Sequence, residues 1–127
     1  MILPFNPRAS RIVVTAEVTG RQGRLRARLL LDTGASVSAL SEKRLVELGY
    51  DAAKEGVHIN LTTGSAVEPA LQLFVKGLAA LGLTRDDWPI VCYDLPEEAE
   101  LDGVLGIDFF RGHILTLDFV NGILTFE

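Results

Sequence analysis

Over residues 11–31, apolar and polar side chains alternate with a period of two, interrupted only by Gly20-Arg21-Gln22-Gly23. Ile12, Val14, Ala16 and Val18 fall on one side of an extended chain, and Val13, Thr15, Glu17 and Thr19 on the other. Beyond the glycines, Leu25, Ala27, Leu29 and Leu31 oppose Arg24, Arg26, Arg28 and Leu30. A period of two fits a pleated strand and no helix. Two such runs around a glycine-bounded turn predict a β-hairpin that buries one face and offers its three arginines to water.

The rest of the chain continues in the same manner. Strands are predicted over 57–61, 71–75, 78–83 and 89–93, with a turn at Thr62-Thr63-Gly64-Ser65. A helix is predicted over 41–48, with Ser41 as its N-cap and Gly49 as its stop. Residues 94–102 form an acidic loop containing Pro96. Residues 103–112 begin as a buried strand and end as a short helix through Ile107-Asp108-Phe109-Phe110. The chain closes with strands over 114–120 and 123–126 around Asn121-Gly122, a strong hairpin signal. The expected fold is all-β with one or two short helices, in one domain over residues 1–127.

Composition narrows the function. At 127 residues, with 48% hydrophobic side chains, the chain can bury roughly two-thirds of its unfolded surface without a disulfide or metal. Twelve basic against seventeen acidic residues give a net charge of −5, which argues against a nucleic-acid binder and against docking on an anionic membrane. No apolar run approaches the ~18–20 residues of a bilayer span. The lone Cys92 has no internal disulfide partner, and the N-terminus shows neither a basic n-region nor an uninterrupted apolar h-region. These features predict a soluble, cytoplasmic protein. The mean hydropathy of +0.28 is high for a lone soluble domain and predicts apolar surface covered by a partner.

Chemistry concentrates in Leu29-Leu30-Leu31-Asp32-Thr33-Gly34-Ala35-Ser36-Val37. A carboxylate directly after three leucines stands where the strand should enter the interior. Burying it costs several kcal/mol unless it is hydrogen-bonded or shares a proton. Gly34 lets backbone N–H groups approach the carboxylate, and the Thr33 hydroxyl can lock the turn. Asp-Thr-Gly is also ordinary loop chemistry at a strand end, so its weight comes from a second segment, Gly103-Val104-Leu105-Gly106-Ile107-Asp108-Phe109-Phe110.

Together these two motifs, with a glycine-tipped hairpin between them, resemble the retropepsin-like aspartic proteases, in the cellular and bacterial members more than the viral ones. The likeness runs over residues 11–126 in the family's order. It implies a closed acid-protease β-barrel active as a twofold homodimer, an aspartic endopeptidase that needs no metal or other cofactor and takes an extended peptide or protein substrate. Peptide hydrolysis by two carboxyl groups requires one ionised, to activate water, and one protonated, to polarise the carbonyl. Two such groups about 3 Å apart cannot both ionise, so they hold one shared proton. This chain has one Asp-Thr-Gly, so the second carboxylate is expected from a second copy, because a twofold axis brings identical residues together.

By resemblance, Asp32 is the catalytic carboxylate, the Thr33 hydroxyl bonds across the twofold, and the Gly34 backbone approaches the dyad. Ala35 and Ser36 border the substrate. Leu61, Thr62, Thr63, Gly64, Ser65 and Ala66, with Gly64 at the tip, belong to a flap over it, which excludes water on closing. Val104, Leu105 and Gly106 thread beneath the active-site loop, and Asp108 supports it by capping the short helix or bonding nearby backbone. Ala35 stands where pepsin-like sites often carry a hydroxyl, and the loss of that donor predicts activity at mildly acidic to neutral pH.

Asp102, in Leu-Asp-Gly, is a rival second carboxylate within one chain. The same fold and dimer could bind peptides without turnover, or Asp32 could be structural in an unrelated barrel. His58 and His113 have no partners at metal-ligand spacing. Cys92 reads as a buried small hydrophobe, Trp88 as core ahead of pocket lining, and the apolar termini (Ile2, Leu3, Phe5, Ile123, Leu124, Phe126) as edge strands that associate with a partner's, the alternative being that they pack on their own core.

Overall fold

The computed structural model describes residues 1–62 and 65–127. Its strands are β1 (Ile2–Pro4), β2 (Val13–Gly20), β3 (Gly23–Leu31), β4 (Ala39–Leu40), β5 (Val57–Thr62), β6 (Val67–Ala80), β7 (Leu83–Cys92), β8 (Gly103–Leu105), β9 (Leu115–Asp118) and β10 (Ile123–Phe126). Three short α-helices, α1 (Glu42–Glu47), α2 (Ala52–Glu55) and α3 (Ile107–Phe110), and one 3-10 turn over Glu97–Ala99 join them.

Strands β2, β3, β8, β4, β7 and β6 pair in that order, and β6 returns to β2, which closes a six-stranded barrel. Closure leaves no free edge on the ring. β5 hangs on the first half of β6 as an outlying hairpin arm. A separate three-stranded sheet, in the order β1-β10-β9, brings the two termini of the chain together.

The β2–β3 hairpin forms as its alternation predicts, with Gly20 opposite Gly23 and Gly23 at φ +111°. Val14, Ala16 and Val18 meet Ala27 and Leu29 inside the barrel, while Arg24, Arg26 and Arg28 stay exposed. α1 starts at Ser41, whose hydroxyl accepts the Arg44 N–H at 3.3 Å, and stops at Gly49, at φ +89°. Leu45, Leu48 and Tyr50 from this region pack on the barrel core, and Phe109, Phe110, Leu124 and Phe126 join that core to the three-stranded sheet.

Four expectations need correction. The strands predicted at 71–75 and 78–83 are one fourteen-residue strand, β6, followed by a tight turn at Leu81-Gly82 into β7. The inward side of β6 switches from Leu73 and Val75 to Leu78 and Ala80 at Gly77, opposite the β7 segment where Asp87 has φ +47°. That phase change splits the pattern in the sequence but leaves the ladder intact. Helix α2 was not anticipated. Asp51 accepts the Lys54 N–H while Glu55 accepts the Asp51 N–H, a reciprocal cap that sustains a single turn.

The last hairpin turns over four residues, 119–122, rather than over Asn121-Gly122 alone. Asp118 organises it by accepting the N–H groups of Val120 and Asn121, each at 2.9 Å. The chain's own termini pair with each other, Leu3 opposite Leu124, so Leu124 and Phe126 are core residues rather than free edges. Ile2 on the outer face stays exposed.

Candidate active site

β3 delivers Asp32. The strand pairs in parallel with β8, Leu31 opposite Leu105, and β8 pairs on its other side with β4, Ala39 opposite Val104. The loop 32–38 therefore arches over β8 from one neighbour to the other, as the resemblance implies for Val104, Leu105 and Gly106.

Three bonds seat this arch. Asp32 N–H donates to the Leu105 carbonyl at 3.0 Å, Ile107 N–H to the Ala35 carbonyl at 2.9 Å, and Gly106 N–H to the Ser38 hydroxyl at 3.0 Å. Gly106 has to be glycine here: a Cβ would stand 2.5 Å from the Val37 carbonyl oxygen and 2.8 Å from that of Ala35. At the tip of the arch the Gly34 N–H donates to Oδ1 of Asp32 at 2.9 Å. A side chain at Gly34 would crowd the same oxygen, at 3.1 Å.

Asp32 is only half-buried and Thr33 and Gly34 are exposed, so the expectation of a buried carboxylate fails for the single chain. The arch carries it to the rim of the barrel instead of into the core. Asp32 stands between two hollows. One, of about 300 Å³, is floored by Leu30, Ala39 and Val104 and walled by Ala35, Ser36, Val37, Leu61, Thr62, Tyr93 and Leu95. The other, of about 270 Å³, lies between Thr33, Arg11, Ile12, Leu117 and Phe119.

Of the predicted substrate-bordering residues, Ala35, Ser36, Leu61 and Thr62 line the first hollow. Thr63 and Gly64 lie outside the described residues. Ser65 and Ala66 are exposed and do not line it. Leu30, Val37, Tyr93 and Leu95 were missed. Leu30 had a signal: it is the apolar member of the face that otherwise carries Arg24, Arg26 and Arg28. Tyr93 and Leu95 gave none, since their place depends on β7 running alongside β4.

Asp108 does not cap α3 and bonds no backbone group there. Its Oδ1 accepts from the Ser38 hydroxyl at 2.8 Å and its Oδ2 from the Trp88 indole N–H at 3.2 Å. The rival Asp102 is committed elsewhere: Oδ2 accepts the Arg28 N–H at 2.8 Å and Oδ1 the Arg44 guanidinium at 3.0 Å. It ties β3 to α1 and lines neither hollow beside Asp32.

Cys92 is half-buried, and burial, aided by the charges of Glu42 and Asp94, pushes its thiol above the ordinary value. That is the wrong direction for a nucleophile. His113 stacks on Phe126, and no cluster of three or more His, Cys, Asp or Glu among the described residues is placed to hold a metal ion. No helix among them is long and apolar enough to cross a membrane.

A closed six-stranded barrel whose Asp-Thr-Gly arch is threaded by an apolar strand ending in glycine defines the class of single-lobed acid-protease folds. The aspartyl protease family model matches residues 14–109, and the chain belongs to that family. No curated protein matches the sequence. Among solved structures, a retropepsin-like aspartic protease from Rickettsia conorii aligns with a TM-score of 0.71 at 20% identity, over 98% of this chain and 86% of the other. EIAV protease complexed with the inhibitor HBY-793 aligns with a TM-score of 0.61 at 18% identity, over 86% of this chain and 92% of the other. The fold is retropepsin-like.

Proposed function

We propose that the protein is an aspartic endopeptidase that works as a twofold homodimer, with Asp32 of each chain forming the catalytic pair. The observation that carries this reading is the carboxylate of Asp32, held by the Gly34 N–H on an arch bonded to β8 and left facing open space beside an apolar hollow. In this reading that carboxylate is half of a dyad. A second copy approaching over the Thr33–Phe119 hollow would supply the other half and cover both it and the exposed apolar side chains nearby.

In the dimer one Asp32 carboxylate takes a proton from the attacking water while the other, protonated, polarises the scissile carbonyl; the amine leaves with a proton from the pair, and no covalent enzyme intermediate forms. Thr33 bonds across the axis and the arm around Thr62 closes over the substrate. The substrate lies extended, pairing its backbone with that arm and placing an apolar side chain against Leu30, Val37 and Val104. Asp108 acts by support alone. A cytoplasmic location goes with this reading, because the single Cys92 stays a thiol.

Asp32→Asn tests it. The variant should keep its fold and dimer and lose cleavage of a mixed peptide library by at least ~100-fold, the scale of removing a general acid–base group. A wild-type dimer that binds peptides from the library and cuts none would make it a binding module instead.

A further inference from the structure

Ser38 is the one polar side chain fully buried among the described residues. Its hydroxyl accepts from the Gly106 N–H and donates to Asp108 Oδ1, and Asp108 Oδ2 accepts from the Trp88 indole. Three bonds thus run from the middle of β7 to the glycine under the Asp32 arch. Arg85, three residues before Trp88, lies over the indole ring at 5.0 Å and donates to the carbonyls of Phe109 and Arg111, each at 2.7 Å. β7 therefore grips α3 at both ends.

We infer that Trp88 is a positioning residue for the arch, an inference that rests on reading Asp32 as the catalytic carboxylate. A hydroxyl is a rotor with one donor. Asp108, by accepting the Ser38 hydrogen, fixes that rotation and leaves the hydroxyl's lone pairs aimed at the Gly106 N–H. Asp108 stays fixed because Trp88 holds its second oxygen. Without the indole N–H, the Asp108 carboxylate turns toward water, Ser38 loses its acceptor, and the network is left half-satisfied in a poorly screening interior. The arch then shifts at Gly106, and displacements near 1 Å are enough to cost ~100-fold in rate.

Trp88→Phe keeps an aromatic ring under Arg85 and removes the donor together with part of the indole's packing volume. Expected is a fall of about 10-fold in kcat with KM and dimer content unchanged, half in free energy of the ~100-fold cost of a full 1 Å misplacement. Ser38→Ala should fall similarly, and the double variant little further, since both cut one chain of bonds. Asp108→Asn, which retains one acceptor oxygen, should keep more activity than Asp108→Ala; it also replaces Trp88→Phe if that variant does not fold. An unchanged kcat in Trp88→Phe, or fully additive losses, would overturn the inference and leave the protease reading standing.

Should the wild type cleave nothing, amide resonances decide the matter without turnover. Shifts at Ser38, Gly106 and Gly34 on Trp88→Phe support the inference, and shifts confined to β7 and Asp108 overturn it. The chain's single tryptophan gives one indole N–H signal, which Asp108→Ala should move and expose to exchange.

Discussion

Gly106 shows how little freedom the site allows a single residue. A methyl there would meet two carbonyl oxygens of the arch at once, neither of them the free end of a flexible side chain. Gly106→Ala should therefore destabilise the fold by about 1–3 kcal/mol or more, as overpacking does, and calorimetry with a cleavage assay would show both stability and activity falling. Asp118 carries a different constraint. The N–H of Asn121, then its side-chain amide, then the N–H of Val120 hold its carboxyl below the ordinary 3.8. Glu55 is likewise held below 4.5, first by Arg21 and then by the Asp51 N–H. A depressed folded-state value adds stability above the unfolded value and loses it as pH falls through the folded one. The urea midpoint should thus drop below about pH 4, and drop less steeply in Asp118→Asn.

The β6–β7 hairpin carries the lesson about elements. Leu81 and Gly82 both have positive φ, at +53° and +79°, the geometry of a two-residue turn that favours Asn-Gly. Leucine in that position costs about 1–3 kcal/mol of backbone strain. Yet Leu81 is buried in the core, and removing such a side chain costs about 2–5 kcal/mol. The second effect is the larger, so Leu81→Asn should lower the melting temperature despite its better turn chemistry. The same competition explains why the turn was invisible in the sequence: packing chose a leucine where local preference asks for a turn residue. Where both agree, as at Ser41, Gly49 and the β2–β3 hairpin, the elements were legible in advance. The Asp32 arch and its support by Val104, Leu105 and Gly106 were legible too, through the motif pair. The Ser38–Asp108–Trp88 chain was not, because three residues from three separate segments meet only once the barrel closes.

Across the whole molecule, the described chain leaves Ile2, Ile114, Phe119 and Val120 exposed on or beside the three-stranded sheet. Phe119 stacks edge-on against Phe5 at 5.5 Å and borders the hollow next to Thr33. If a second copy covers that hollow, Phe119→Asp should leave the single chain folded but move its association to higher protein concentration by at least ~10-fold, about 1.4 kcal/mol, as sedimentation would read. The pairing of two Asp32 carboxylates is tested most directly by mixing. Wild-type and Asp32→Asn chains are refolded together at varied ratios and cleavage is measured at constant total protein. If activity needs an intact Asp32 from both partners, it follows the square of the wild-type fraction, about a quarter at equal mixture. A linear fall, about half at equal mixture, would mean that each chain cuts with its own residues and would contradict the account.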